Sequence, residues 1–180
     1  MKKIIALVMV VAVLLGAVAV AENAQVKTIS WADHEAETKD VAGQFASIGN
    51  TGIMVYMPST WEDVKITEEQ TKAGQLLNLQ TKGLTVTDPN YCVLSGQLLP
   101  VPLASFKAAM QEKKPTTLED VNLNGADVIT YTLEENGIKA IGVAYSTTDD
   151  AQTISFTFAP VTEANEKLVT MMVASLQAAK

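Results

Sequence analysis

The sequence predicts an α+β protein with a central antiparallel β-sheet flanked by helices. Three segments in its second half alternate apolar and polar residues with the period of two that strands have. The connections between them are short turns, which cannot hold the crossover that parallel strands need. Two apolar stripes at helical spacing, near residues 103–110 and 164–176, add helices that can pack on the sheet.

The first 21 residues have the organisation of an export signal. Two lysines precede an apolar run at residues 4–20, and Ala19 and Ala21 have the small-residue spacing of a cleavage site. We expect cleavage of this signal peptide, residues 1–21, before Glu22, and a secreted or extracytoplasmic protein. An uncleaved membrane anchor is the alternative, because about 20 apolar residues span a bilayer.

After the signal we expect an N-terminal segment with a short helix at 22–42, followed by a single domain at 43–180. Ser30 stands where an N-cap would, and good helix formers continue to Lys39. No linker-like stretch or internal repeat divides the rest of the sequence. Its length is usual for one domain.

Turn residues predict the elements between residues 43 and 100. The tetrapeptide GNTG separates the runs FASI and IMVYM, which is the pattern of a hairpin. Thr67 and Gln70 have capping-box spacing ahead of a short polar helix that ends near Gly74. Lys82-Gly83 separates QLLNLQT from LTVT, which predicts a second hairpin before the strand YCVLSG.

The second half of the chain is predicted as a helix, a three-stranded meander and a terminal helix that Thr162 caps. Leu103, Phe106 and Met110 recur at helical spacing after Pro102. In the meander, alternate apolar residues are expected to share the core face. These are Ile129, Tyr131, Leu133, Ile141, Val143, Tyr145, Ile154, Phe156 and Phe158.

The same alternation predicts a second meander face that is small and uncharged. Ala140, Gly142 and Ala144 lie there with a set of hydroxyl residues, which we predict as a possible interaction face: Thr130, Thr132, Thr153, Ser155 and Thr157. One alternative is that the N-terminal helix or the helix around Phe106 packs closely on this face, since small side chains allow close approach. The other is an open docking platform.

The chain also resembles the PsbP-like (Mog/PsbP) fold superfamily, which includes many exported bacterial proteins. The resemblance is carried by the strand IMVYM ending at Pro58 with Trp61 three positions on, by the meander that closes on SFTF, and by the terminal helix ending MMVASLQ. It covers about residues 43 to 178. It implies an α-β-α sandwich with a central antiparallel sheet, and it transfers no catalytic residue, because this fold hosts unrelated functions.

Residues with catalytic chemistry are sparse. The sequence has one histidine, His34, and one cysteine, Cys92, with no spacing that links them. A zinc site needs three or four ligands, and a thiol nucleophile needs a base. Adjacent acidic residues such as Asp149-Asp150 are expected in solvated turns rather than facing each other across a cleft. We therefore predict no catalytic residue, no metal site and no cofactor.

Charge and composition favour an interaction role over nucleic-acid binding. The 13 basic residues are all lysine against 20 acidic residues, whereas phosphate recognition favours clustered Lys and Arg. We predict an exported, non-enzymatic interaction or binding module of the bacterial cell envelope or exterior. Its partner would be a protein or envelope component, with membrane contact only if the signal is uncleaved. A small hydrolase or lyase using Asp, Glu, Lys or Tyr is the alternative, and a carrier of a small apolar ligand is a weaker one.

Overall fold

The computed structural model describes residues 26–179, so the predicted export signal lies outside the described residues. Within them, eight strands form one mixed sheet and three form a smaller second sheet, with three α-helices. The predicted α+β class is therefore confirmed. No helix in this range is long and apolar enough to cross a membrane.

The element bounds follow the chain in order. The strands are β1 (Lys27–Ile29), β2 (Gly43–Ser47), β3 (Ile53–Pro58), β4 (Trp61–Asp63), β5 (Gln75–Thr81), β6 (Val93–Leu99), β7 (Thr117–Leu123), β8 (Ala126–Glu135), β9 (Ile138–Ser146), β10 (Thr153–Val161) and β11 (Gln177–Ala178). The helices are α1 (Glu68–Lys72), α2 (Leu103–Glu112) and α3 (Glu166–Ser175), with two 3₁₀ helices at Trp31–Asp33 and Glu35–Asp40.

The large sheet has the strand order β1-β7-β8-β9-β10-β6-β5-β4. All of its neighbours are antiparallel except β1 and β7, which are parallel and make the sheet mixed. Two-residue loops, Asn124-Gly125 and Asn136-Gly137, join β7 to β8 and β8 to β9. All four of their residues have positive φ, the geometry that suits tight hairpins and that Asn and Gly tolerate. The small sheet has the order β11-β3-β2.

The large sheet has an inner and an outer face. The inner face packs against the small sheet and α3, and Phe156 and Phe158 are fully buried there. Complete burial of one such side chain contributes about 1.5–3 kcal/mol. On the outer face α2 contacts β7 and β9, and its Phe106 and Met110 pack on Ile129 and Tyr131. The molecule thus has helices on both sides of a central sheet.

Three local predictions differ from the structure. The short helix predicted in the segment 30–39 is present as two 3₁₀ helices rather than one continuous helix, and Ser30 accepts the Ala32 amide as a cap. LTVT is not a strand, and β5 pairs with β6 instead. This segment runs into a turn in which Asp88 Oδ1 accepts the Asn90 amide. The last helix begins at Glu166 after Asn165, so Thr162 is not its N-cap.

Candidate functional site

Strand β8 presents the three apolar residues predicted for the core face, Ile129, Tyr131 and Leu133, to the outer face instead. The two-residue loop after β8 pairs Glu135 with Ile138, and this register sets Tyr131 opposite Gly142. Residues directly opposite each other in antiparallel strands share a face, so Tyr131 cannot lie with Val143. The predicted core face is right for β9 and β10, where Val143 pairs with Phe156, and wrong for β8. A register change of one residue moves every side chain to the other face.

The five hydroxyl residues predicted as one interaction face are consequently divided between the two faces. Thr130 and Thr132 pair with Val143 and Ile141 and lie on the inner face. The three from β10 lie on the outer face, opposite small residues of β9: Thr153, Ser155 and Thr157. The structure therefore brings together three of the five.

Of the three hydroxyl residues on β10, two are buried. Thr153 is fully buried, and its hydroxyl donates to the carbonyl of Val101 in the loop before α2, at 2.8 Å. Ser155 is 6% exposed. Thr157 is half-buried and stands at the border of the covered region. Close packing thus applies to Thr153 and Ser155, on the side of the sheet where α2 lies.

Tyr131 forms the border between the covered and uncovered parts of the outer face. Its ring lies over Gly142, where any Cβ would collide with it. Its hydroxyl lies 2.8 Å from the hydroxyl of Thr157 and 3.1 Å from that of Ser155. Burial raises the pKa of the Tyr131 phenol, against the smaller opposing effect of these hydrogen bonds. The group therefore stays protonated and can donate to one of the two hydroxyls while accepting from the other.

Beyond this border the outer face of β10, β6, β5 and β4 carries six half-buried polar side chains, together with the apolar Val93 and Ala159. The polar six, which we call the polar face, are Glu62, Asn78, Gln80, Ser95, Gln97 and Thr157. Gln80 Nε2 donates to Glu62 Oε1 at 3.1 Å. Helix α2 contacts the sheet at β7 and β9, on the other side of the Tyr131 border.

The chemistry of the polar face is that of hydrogen bonding. Carboxamides and hydroxyls both donate and accept, and Glu62 is the one member of the set that ionises. The sequence prediction does not include the β5 amides Asn78 and Gln80, although they alternate with the buried Leu77 and Leu79. That alternation was the available signal, but it indicates a shared face only once β5 is known to pair with β6.

A second surface is a groove of about 450 Å³ between the two sheets, which we call the inter-sheet groove. On one side are residues of β2, the following hairpin and β3, and on the other are residues of β5, the last residue of β4 and the segment that follows it. Its lining residues are Ala46, Ser47, Ile48, Gly49, Val55, Met57, Asp63, Lys65, Ile66, Leu76, Leu77 and Leu79. Aliphatic side chains predominate, as in most small-molecule sites.

The histidine and the acidic turns form local contacts. His34 Nδ1 lies 3.1 Å from Glu37 Oε1 three residues on. Asp149 accepts from Thr147 Oγ1 and from the Ala151 amide, which lowers the pKa of its exposed carboxyl. Within residues 26–179, no group of three or more His, Cys, Asp or Glu side chains has the placement needed to hold a metal ion.

Cys92 is fully buried in the inner core. Burial raises the pKa of its thiol to about 12, because the charged thiolate is poorly solvated there. The nucleophilic form is therefore scarce at neutral pH, and Cys92 serves as a small apolar core residue.

We expect Cys92 in the folded protein to resist thiol-specific reagents. At pH 8 its modification should be at least about 100-fold slower than in denaturant, because access requires the core to open. The absorbance change of a disulfide-exchange reagent gives both rates. A short cysteine-containing peptide gives the rate expected for a fully accessible thiol. Comparable rates in the folded and denatured protein would contradict the burial of this residue.

Comparisons with known proteins leave the family open. No protein-family model matches the sequence, and no curated protein matches it. One similar solved structure is a protein from Bacteroides thetaiotaomicron, at 13% identity and a TM-score of 0.48 over 77% of this chain. The chain spans about half of that protein, 49% of its length. Another is LpqN, involved in cell envelope biogenesis of Mycobacterium tuberculosis, at 10% identity and a TM-score of 0.42.

The LpqN alignment covers 85% of this chain and 99% of LpqN. At these TM-scores and identities neither structure assigns a family or a function to the chain. The resemblance to the PsbP-like superfamily accordingly stays a prediction.

Proposed function

We propose that this protein is an exported, non-enzymatic interaction module of the cell envelope or exterior, and that the polar face is its docking surface. One observation carries the proposal: α2 covers one part of the outer face of the large sheet, and the other part presents hydrogen-bonding, nearly uncharged side chains. Export is supported by the signal-like residues 1–21. A PsbP-like architecture belongs to the same proposal, on the sequence features that carry the resemblance.

The composition of the polar face favours docking over catalysis. Ser95 and Thr157 would need a neighbouring base to act as nucleophiles. Glu62, the carboxylate of the set, lies on β4 and already accepts a hydrogen bond from Gln80. Charged residues are depleted at the centres of protein interfaces, and five of the six side chains of the polar face carry no charge. The expected partner is a protein or envelope component that binds through hydrogen bonds and shape, so binding should depend little on salt.

The test places a charge at the centre of the polar face. We expect Ser95→Lys and Gln97→Lys to leave the protein folded, since both side chains are half-buried and a lysine can extend to solvent. Each should weaken partner capture at least about tenfold, or about 1.4 kcal/mol, because docking would bury an unpaired ammonium.

The measurement is an affinity pull-down of the mature protein from its native envelope, with thermal melts to verify folding. Gln111→Lys is the matched control, because it makes the same chemical change at an exposed position of α2. Partners lost with both polar-face variants but retained by the control would support the proposal. Folded Ser95→Lys and Gln97→Lys proteins that capture the same components as the wild type would refute it.

A further inference from the structure

Apolar side chains line the inter-sheet groove from its mouth at the surface down to the inner core. At its floor Ile48, Val55 and Leu77 are between 1% and 9% exposed. Nearer the mouth, Met57 and Leu76 are half-buried, so a ligand that covers them removes apolar surface from water. Among the described lining residues none is aromatic. The walls therefore suit a flexible aliphatic chain better than a flat ring.

The two charged residues that line the groove lie close together in sequence, at the end of β4. Asp63 is the last residue of β4, and Lys65 follows two positions later. Both side chains are exposed, and neither forms an ion pair with another residue of the described range. The groove thus offers one free anion and one free cation beside an aliphatic interior. A head group that carries both signs complements this pair, whereas a head group of single charge is attracted by one and repelled by the other.

We propose that the inter-sheet groove binds the single aliphatic chain of a zwitterionic amphiphile of the lysophosphatidylcholine type. The chain lies between the sheets, the phosphate faces Lys65, and the quaternary ammonium faces Asp63. The volume of about 450 Å³ is in the lower part of the range for small-ligand sites, about 300–1,000 Å³, and suits one chain rather than two.

This site is independent of the polar face. The groove opens on Leu77 and Leu79 of the inner face, whereas the polar face carries Asn78 and Gln80 of the same strand, which point the other way. Ser95→Lys should therefore bind the amphiphile as the wild type does. Loss of partner capture and loss of amphiphile binding are separate results.

The experiment is a calorimetric titration of the purified protein with dodecylphosphocholine below its micelle concentration. We expect saturable binding at one site. Decylphosphocholine, shorter by two methylenes, should bind about 15-fold more weakly, since each buried methylene changes affinity about fourfold. Phosphocholine without a chain should show no measurable binding. Methyl NMR should place the largest shifts at Ile48, Leu77 and Leu79.

Variants test the site and the head group separately. Ala46→Trp fills the groove and should reduce affinity at least tenfold, whereas Ala104→Trp, at an exposed position of α2, should not. Lys65→Glu changes an exposed side chain and should leave the fold intact while weakening binding about threefold to fivefold. Exchanging the two charges, with Asp63→Lys and Lys65→Asp together, should restore most of the affinity.

Three results would overturn the proposal. The first is no binding of dodecylphosphocholine by the wild type. The second is binding that neither Ala46→Trp nor Lys65→Glu weakens. The third is equal affinity for dodecyl maltoside, because a neutral head group on the same chain would show that Asp63 and Lys65 play no part.

Discussion

Gly142→Ala is expected to lower the free energy of unfolding by about 3 kcal/mol, the sum of overpacking and of a disturbed buried hydroxyl. A Cβ on Gly142 would lie 2.5 Å from Cε2 of Tyr131 and closer still to Cζ and the hydroxyl oxygen. The ring cannot move aside freely, because Phe106 and Met110 of α2 pack in the same cluster. Displacing it would also break the hydrogen bonds to Thr157 and Ser155.

Thermal and denaturant unfolding measure this effect, and a loss of about 3 kcal/mol corresponds to roughly 6–12 °C in Tm for a domain of this size. A double-mutant cycle with Tyr131→Leu provides the control, since the shorter side chain removes the collision. In that background Gly142→Ala should cost less than about 1 kcal/mol. An equal cost in both backgrounds would show that Tyr131 is not the reason for a glycine at this position.

The register of β8 could have been predicted from the sequence. The information lies in the length of the loop that follows this strand. The alternation of apolar residues assigns those of all three meander strands to one face. A two-residue Asn-Gly loop pairs Glu135 with Ile138, which sets Tyr131 opposite Gly142. The pairing of a large residue with a glycine was therefore implicit in the loop length. Strand propensity alone does not reveal this pairing, because the alternation of residues along β8 is compatible with either face of the strand lying on the core.

Other features depend on contacts distant in sequence. The capping box at Thr67 and Gln70 and the helix around Phe106 are local, and both were predicted correctly. The polar face requires β5 to pair with β6 across an intervening loop, and β10 to lie on the other side of β6. The inter-sheet groove requires knowledge of how two separate sheets pack. Periodicity describes one strand at a time, so it cannot supply either arrangement.

Asn124 connects three parts of the fold that are far apart in sequence. Its Oδ1 accepts the amide of Trp31 at 2.6 Å. Its Nδ2 donates to the carbonyls of Ala174 and Leu176 at 2.8 and 2.9 Å. Both carbonyls belong to buried residues at the end of α3, where a helix has no intrahelical donors left for them. In the sequence, its Asn-Gly dipeptide indicates only a tight turn.

We expect Asn124→Ala to lower the free energy of unfolding by about 3–4 kcal/mol, from backbone strain and the loss of three hydrogen bonds to partly buried groups. Asn136→Ala is the matched control. Asn136 occupies the same place in an Asn-Gly turn, with φ of 53° against 51°, and it is exposed. It has no side-chain hydrogen bond to another described residue, so its replacement should cost only the strain, about 1 kcal/mol.

The difference between the two alanine variants, measured by denaturant unfolding, therefore isolates what Asn124 contributes by connecting the N-terminal segment to α3. Asn124→Asp sharpens the test, because a carboxylate can still accept from Trp31 but cannot donate to Ala174 and Leu176. It should be at least as destabilising as alanine above pH 5, since it sets a negative charge against two carbonyl oxygens. If Asn124→Ala and Asn136→Ala proved equally costly, the hydrogen bonds of Asn124 would contribute nothing net, and the end of α3 would be held by apolar packing alone.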